Sequence, residues 1–163
     1  MTSRASIARA MTIYLVLKFL HIIGGMVILG TGSGIAFFLL MAHLSGDAAF
    51  ISRTLRIVVL ADFLFTTTAV AAQPITGYLL MRETATPMSA SWIIASFALF
   101  AVAAVFWIPV VWMQIKMRQL AATAASESAV LPDLYYKLFR VWFAFGFPGF
   151  GADWPRIRAI ALS

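Results

Sequence analysis

The sequence predicts an all-α fold, a four-helix transmembrane bundle, from its composition and from the length of its apolar runs. Of 163 residues, 63% are hydrophobic and 11% are charged, and the mean hydropathy is +0.95, outside the range of soluble domains. Three apolar runs each exceed the ~20 residues that a helix needs to cross a bilayer. Because lipid offers the backbone no hydrogen-bond partners, such runs must be helical. We therefore expect residues 1–163 to form one integral membrane domain in a lipid bilayer.

Four helices are expected, at about 12–42, 55–81, 91–114 and 138–155. Three connections separate them: a short polar turn at 45–47, a loop at 82–89 and an Ala/Ser stretch at 121–132. Glycines and a proline interrupt the fourth segment. That segment either spans with a kink or spans briefly and ends in an interfacial tail.

The formal charge of +6 is spread over the segment ends rather than gathered on one aromatic-lined face. This pattern argues against nucleic acid and is typical of a topology signal. Lys and Arg flank the first and third loops, which favours a cytoplasmic location for both. Arg4, Arg9, Arg156 and Arg158 would lie on the opposite side and nearly balance the count. The absence of Cys excludes disulfides, thiolate metal sites and Cys nucleophiles.

His21 is the leading candidate for chemistry, because ionisable residues inside a membrane are costly and often functional. It shares a helical face with Gly24 and Gly25, where a flat ligand or another helix can approach. The functional hypothesis is a haem b pocket in which His21 is the metal ligand and the two glycines make room for the macrocycle. The alternative is helix packing, for which Gly30 and Gly34 form a GxxxG pair.

Lys18 lies one turn nearer the membrane surface on a similar face. It either extends to the interface or binds an acidic group such as a porphyrin propionate. His43 follows His21 by 22 residues, about 33 Å along a helix, so one haem cannot bridge both. We expect His43 at a loop edge and a sixth ligand, if one exists, from Met81 or Met88.

Polar residues on the second helix fall into two groups by depth. Gln73 and Thr76, beside Pro74, lie level with His21 and are expected to form hydrogen bonds around it. Asp62, also on the second helix, lies level with the far end of the first helix rather than with His21.

Three cations lie at the depth of Asp62, so a structural ion pair is the first hypothesis and a proton-relay carboxylate the alternative. The three candidate partners are Lys116, Arg118 and Arg140.

Several ordered motifs extend through most of the chain: YLVLKFLHIIG at 14–24, Asp62, QPITG at 73–77, WIP at 107–109 and QIKMR at 114–118. On these residues the chain resembles a bacterial family of predicted integral membrane proteins of unknown function. The resemblance implies a four-helix, multi-pass protein of the bacterial inner membrane.

The Lys18-x-x-His21 element resembles the first helix of the HemJ-type protoporphyrinogen oxidases and, more loosely, the copper-resistance D and membrane urate oxidase groups. The matching histidine of HemJ-type proteins is implicated in haem b binding, which implies the same role for His21. Two hypotheses result. The chain is a haem b protein for electron transfer or for oxidation of a hydrophobic substrate, or it is a non-catalytic accessory subunit that packs against other membrane subunits or a second copy. Whether it is an enzyme stays open.

Overall fold

The computed structural model describes residues 4–146, which fold into four helices without a strand. The helices are α1 (Arg4–Ser45), α2 (Ala48–Glu83), α3 (Ser91–Ser126) and α4 (Asp133–Gly146). The predicted all-α, four-helix class is therefore confirmed, and α1, α2 and α3 are each long and apolar enough to cross a membrane. The expected continuation of the fourth helix over 147–155, together with Arg156 and Arg158, lies outside the described residues.

The helices extend beyond the predicted apolar segments. The prediction of a loop at 121–132 was wrong, because α3 continues to Ser126 and the connection covers only residues 127–132. Alanine has the highest helix propensity, so an Ala-rich stretch prolongs a helix after it leaves the apolar layer. Hydropathy marks the part of a helix that lipid can cover, and it does not mark where the hydrogen-bonded turns stop.

The turn between α1 and α2 is fixed by two residues. Gly46 has a φ of +68°, which glycine adopts without steric cost. The Asp47 carboxylate then accepts hydrogen bonds from the Ala49 and Phe50 amides at 2.8 and 3.2 Å. This N-cap starts α2 seven residues before its predicted apolar segment.

A π-helical segment, Asp62–Thr66, interrupts α2 between α-helical stretches at Ala48–Ala61 and Thr67–Glu83. Such wider turns are rare and often lie at functional positions. This segment begins at the acidic residue that the sequence places inside the membrane.

The chain divides into two compact units. Unit 1 contains the described residues up to Thr31 together with Phe63–Ala104, and unit 2 contains Gly32–Asp62 together with the described residues from Val105 onward. Unit 2 holds the larger apolar core. Its fully buried side chains include those of Leu39, Ile51, Leu55, Met117, Tyr135 and Phe139.

Large apolar side chains project outward from the three long helices. Leu29 is 74% exposed, Leu99 71% and Ile57 67%. Exposing such surface to water costs about 25 cal/mol per Å², and a bilayer removes that cost. The outer surface of the helices therefore agrees with the membrane location predicted from composition.

Candidate functional site

The site is built around His21, which lies on α1 and faces α2 within unit 1. The His21 Nδ1 atom is 2.9 Å from the Thr76 hydroxyl oxygen. That hydroxyl is buried and also lies 2.8 Å from the Ala72 carbonyl oxygen and 3.2 Å from that of Gln73. A hydroxyl has one proton to donate, so a hydroxyl that donates to a carbonyl accepts from the imidazole. This network assigns the ring proton to Nδ1.

The second ring nitrogen of His21, Nε2, is left with an unshared electron pair. Between residues 4 and 146, no group forms a hydrogen bond with it, and the atom is not fully buried. His21 is half-buried and lines a cavity. The imidazole therefore has one ring nitrogen, Nε2, without a hydrogen-bond partner among the described residues.

The backbone of His21 is held separately from its ring. The Gln73 side-chain amide donates to the His21 carbonyl oxygen at 2.9 Å. A Cβ atom at Gly24 would lie 3.1 Å from Gln73 Nε2, and one at Gly25 would lie 3.3 Å from it. The two glycines therefore make room for a glutamine amide. The space that the sequence analysis assigned to a macrocycle is filled by Gln73, and neither glycine lines the cavity.

Gly77 leaves space for the His21 ring in the same way that Gly24 and Gly25 leave space for Gln73. A Cβ atom there would lie 3.3 Å from His21 Cε1, closer than most real Cβ contacts. The missing side chain lets the imidazole lie against α2 at the level where Thr76 can reach it. Gln73 and Thr76, which helix geometry placed at the depth of His21, are thus brought to it by the structure.

The cavity has a volume of about 430 Å³ and is lined by α1, α2 and α3. Apolar and aromatic side chains form most of its wall, whereas His21 and Lys18 supply its ionisable groups. The aromatic wall comes from α3, with Trp92, Phe97 and Phe100. Sequence reasoning missed this wall. The available signal was the recurrence of its residues on one helical face, at positions 92, 93, 96, 97 and 100.

Lys18 lies at the exposed edge of the cavity. Its ammonium nitrogen is 5.6 Å from the centre of the Tyr14 ring, a cation-π distance. Both residues line the cavity with His21. The cation therefore stands one helical turn from the imidazole, where it can reach an acidic group of a ligand or the membrane surface.

Asp62 belongs to unit 2, apart from the residues around His21. Its side chain is 3% exposed, and that of Gln114 is 1% exposed. With the Gln114 amide oriented to satisfy both neighbours, its nitrogen donates to Asp62 at 2.8 Å and its oxygen accepts from the Trp142 indole at 3.3 Å. The sequence analysis missed this pair, although a glutamine inside an apolar run was a signal for it.

The expected ion pairs of Asp62 stay a prediction. The candidate partners remain Lys116, Arg118 and Arg140.

His43 lies in the last turn of α1 and packs against α4 within unit 2. Its ring centre is 3.7 Å from that of Phe139 with the planes 5° apart, and its Nδ1 atom is 3.2 Å from the Tyr135 hydroxyl. It therefore lies at the end of α1 beside the turn, as the sequence suggested, and is also a half-buried packing residue. The sequence missed this contact because it depends on where α4 docks.

Two further observations concern metal binding and helix packing. In the part of the chain that the structure describes, no three His, Cys, Asp or Glu side chains converge as a metal-binding group. Cβ atoms at Gly30 and Gly34 would each meet no heavy atom within 4 Å. Within residues 4–146, both glycine positions of the GxxxG pair are thus open.

Comparison with known proteins identifies a family. A family model described as "Predicted integral membrane protein (DUF2269)" covers residues 15–153, which include His21 and all the cavity-lining residues except Tyr14. Neither the curated proteins nor the solved structures give a match.

Proposed function

Because the chain belongs to the DUF2269 family of predicted integral membrane proteins, we propose that it is a multi-pass protein of the bacterial inner membrane that binds haem b through His21. One observation carries the proposal: His21 lines a cavity, and its Nε2 atom has no hydrogen-bond partner within residues 4–146, while its Nδ1 atom lies 2.9 Å from the Thr76 hydroxyl. A histidine that ligates a metal usually donates its other ring N–H to a fixed acceptor. Thr76 would be that acceptor.

The residues around the cavity suit the group. A volume of about 430 Å³ lies within the range of cofactor pockets, ~300–1,000 Å³, and aromatic walls suit the faces of a porphyrin. Lys18 would pair with a propionate. Met81, buried and lining the same cavity, would be the sixth ligand rather than Met88, which is 56% exposed.

Haem supplies one-electron chemistry when bound, and this serves either electron transfer or oxidation of a hydrophobic substrate. His21 would hold the haem through its Nε2 atom, and the apolar wall would exclude water from the site. Low polarity and restricted solvent access are among the factors that set the reduction potential of a haem.

The test is the visible absorption spectrum of the protein, purified in mild detergent after expression with ample haem, before and after dithionite reduction. We expect a Soret band that sharpens on reduction with distinct α and β bands, and loss of both in His21→Ala. His43→Ala is the matched control and should retain the pigment. A featureless wild-type spectrum, or full haem in His21→Ala, would overturn the proposal.

A second candidate function is that of a non-catalytic accessory subunit. It is favoured by the open space beside Gly30 and Gly34, since close helix contacts in membranes use small residues. The double variant Gly30→Leu/Gly34→Leu should then lose a co-purifying subunit or a second copy, whereas Gly30→Ala/Gly34→Ala should retain most of it. Unchanged co-purification in the leucine variant would exclude this role.

A further inference from the structure

We propose that Thr76 is the positioning residue of this site: its hydroxyl oxygen accepts a hydrogen bond from the Nδ1–H group of His21 and thereby leaves Nε2 as the unprotonated nitrogen at the cavity. The inference deepens the proposed function and rests on it for the identity of the ligand. The state of the imidazole is a property of the chain alone, which allows the two to be tested apart.

The Thr76 hydroxyl has a single proton to donate. Thr76 Oγ1 has three oxygen or nitrogen neighbours within 3.2 Å, namely two backbone carbonyl oxygens of its own helix and His21 Nδ1. Carbonyl oxygens can only accept, so the hydroxyl proton points toward the helix and a lone pair points toward the ring. Nδ1 must then carry a proton.

The second step concerns why the ring cannot turn to another partner. Gln73 fixes the His21 backbone through its carbonyl at 2.9 Å, and the Cε1 edge of the ring lies against the bare Cα of Gly77. Thr76 lies between these two residues in sequence. Residues 73, 76 and 77 share one helical face, so a single turn of α2 holds the backbone, the ring edge and Nδ1.

Removing the hydroxyl should therefore change the tautomer rather than only the packing. In Thr76→Val the shape is kept but the acceptor is lost, and an Nδ1–H group would be buried without a partner. The proton then moves to Nε2, which faces the cavity. Thr76→Ser keeps a hydroxyl and should keep the native tautomer.

Effects on a bound haem follow from the same change. An axial imidazole whose Nδ1–H is hydrogen-bonded is more basic and stabilises ferric iron. We expect Thr76→Val to retain haem about tenfold less tightly and to have a higher midpoint potential, and Thr76→Ser to restore both. Thr68→Val is the matched control, because Thr68 is an exposed threonine of α2 that bonds only to its own helix, at Leu64.

The deciding experiment is ¹⁵N NMR of the full chain in detergent, labelled only at histidine and measured at alkaline pH after expression without haem supply. The chain has two histidines, so the spectrum of His43→Gln assigns His21. Wild type and Thr76→Ser should show the Nδ1–H tautomer, and Thr76→Val should lose it.

Each outcome has a defined meaning. A wild-type His21 protonated on Nε2, or an unchanged tautomer in Thr76→Val, would overturn the inference even if haem binds. The expected tautomers in a protein that takes up no haem would support the role of Thr76 and reject the proposed function. If Thr76→Val fails to fold, the wild-type tautomer still decides.

Discussion

The imidazole of His21 depends on one short stretch of α2, residues 73–77. Thr76 lies within hydrogen-bond distance of the ring, Gln73 donates to the backbone carbonyl of the same residue, and Gly77 leaves room for the ring because it has no side chain. Pro74 removes one backbone donor from the same turn and leaves a carbonyl of the preceding turn without its usual partner. Positions three and four apart on a helix share a face, so five residues suffice to fix both the height and the orientation of the ring.

Gly77→Ala should disturb the His21 site without destabilising the helix. The new Cβ atom, 3.3 Å from His21 Cε1, should displace the ring from Thr76 and weaken haem retention several-fold, while the helix gains about 0.5–1 kcal/mol of propensity. The measurement is the ratio of Soret absorbance to protein, together with thermal unfolding in detergent.

Gly30→Ala is the control for this substitution, because its Cβ atom would meet nothing within 4 Å. It should leave haem retention unchanged. Equal loss of haem in both variants would contradict the role assigned to the gap at Gly77.

For individual residues, the sequence predicted the depth in the membrane better than the contacts of the side chain. The fixed rise of a helix places Gln73 and Thr76 at the depth of His21, and in the structure Gln73 meets its backbone carbonyl and Thr76 meets its ring. The role of Gly24 could not be predicted, because a missing side chain does not reveal which neighbour fills the space. Gln114 was overlooked as a partner of Asp62 because charge pairing was considered before amide donors.

Among the elements, α4 shows how a short amphipathic helix is attached. Tyr135, Phe139 and Trp142 are buried on one of its faces, and the last turn of α1 contributes the His43 ring to the same core. The start of α4 was predicted five residues late, because its polar first turn does not resemble an apolar segment. Tertiary contacts of this kind cannot be derived from periodicity.

The α4 attachment should weaken at alkaline pH. Burial, and then the charge of neighbouring Tyr136, raise the pKa of Tyr135 above its ordinary value of 10.0; Tyr135 lies outside the three spanning helices. A group whose pKa is higher in the folded state stabilises the fold fully below its unfolded pKa, and this stabilisation is lost as the pH rises toward the folded value. The free energy of unfolding should therefore fall as the pH rises above 10.

Tyr135→Phe identifies the group responsible. It should remove this decline and, at neutral pH, lower the free energy of unfolding by about 0.5–1.5 kcal/mol through loss of the bond to His43. Tyr136→Phe, at an exposed position, should keep most of the decline. Unfolding by sodium dodecyl sulfate titration at several pH values measures both, and an alkaline decline that persists in Tyr135→Phe would refute the assignment.

For the whole molecule, the apolar outer surface and the distribution of basic residues determine how the chain lies in a membrane. Composition was sufficient to predict the class, since three spanning helices follow from length and hydropathy. The cavity was beyond sequence reasoning because its aromatic wall comes from α3, and no local pattern shows which helices are neighbours. The Lys and Arg residues that flank the first and third loops predict a cytoplasmic location for both loops.

Orientation can be tested cleanly because the chain contains no cysteine. We expect Ser89→Cys, in the α2–α3 connection, to react with a membrane-impermeant maleimide added to intact cells. Ala129→Cys, in the α3–α4 connection, should react only after the cells are permeabilised. The reverse pattern would show that the basic loops face outward and that the positive-inside prediction fails for this protein.

The hydrogen bond from Gln73 to the backbone carbonyl of His21 does not depend on the side chain at position 21. Since the amide holds a carbonyl that every amino acid possesses, exchanging the residue at position 21 leaves this link between α1 and α2 in place. A substitution at position 21, for example by methionine, therefore changes the side chain at the cavity without removing this contact between the helices.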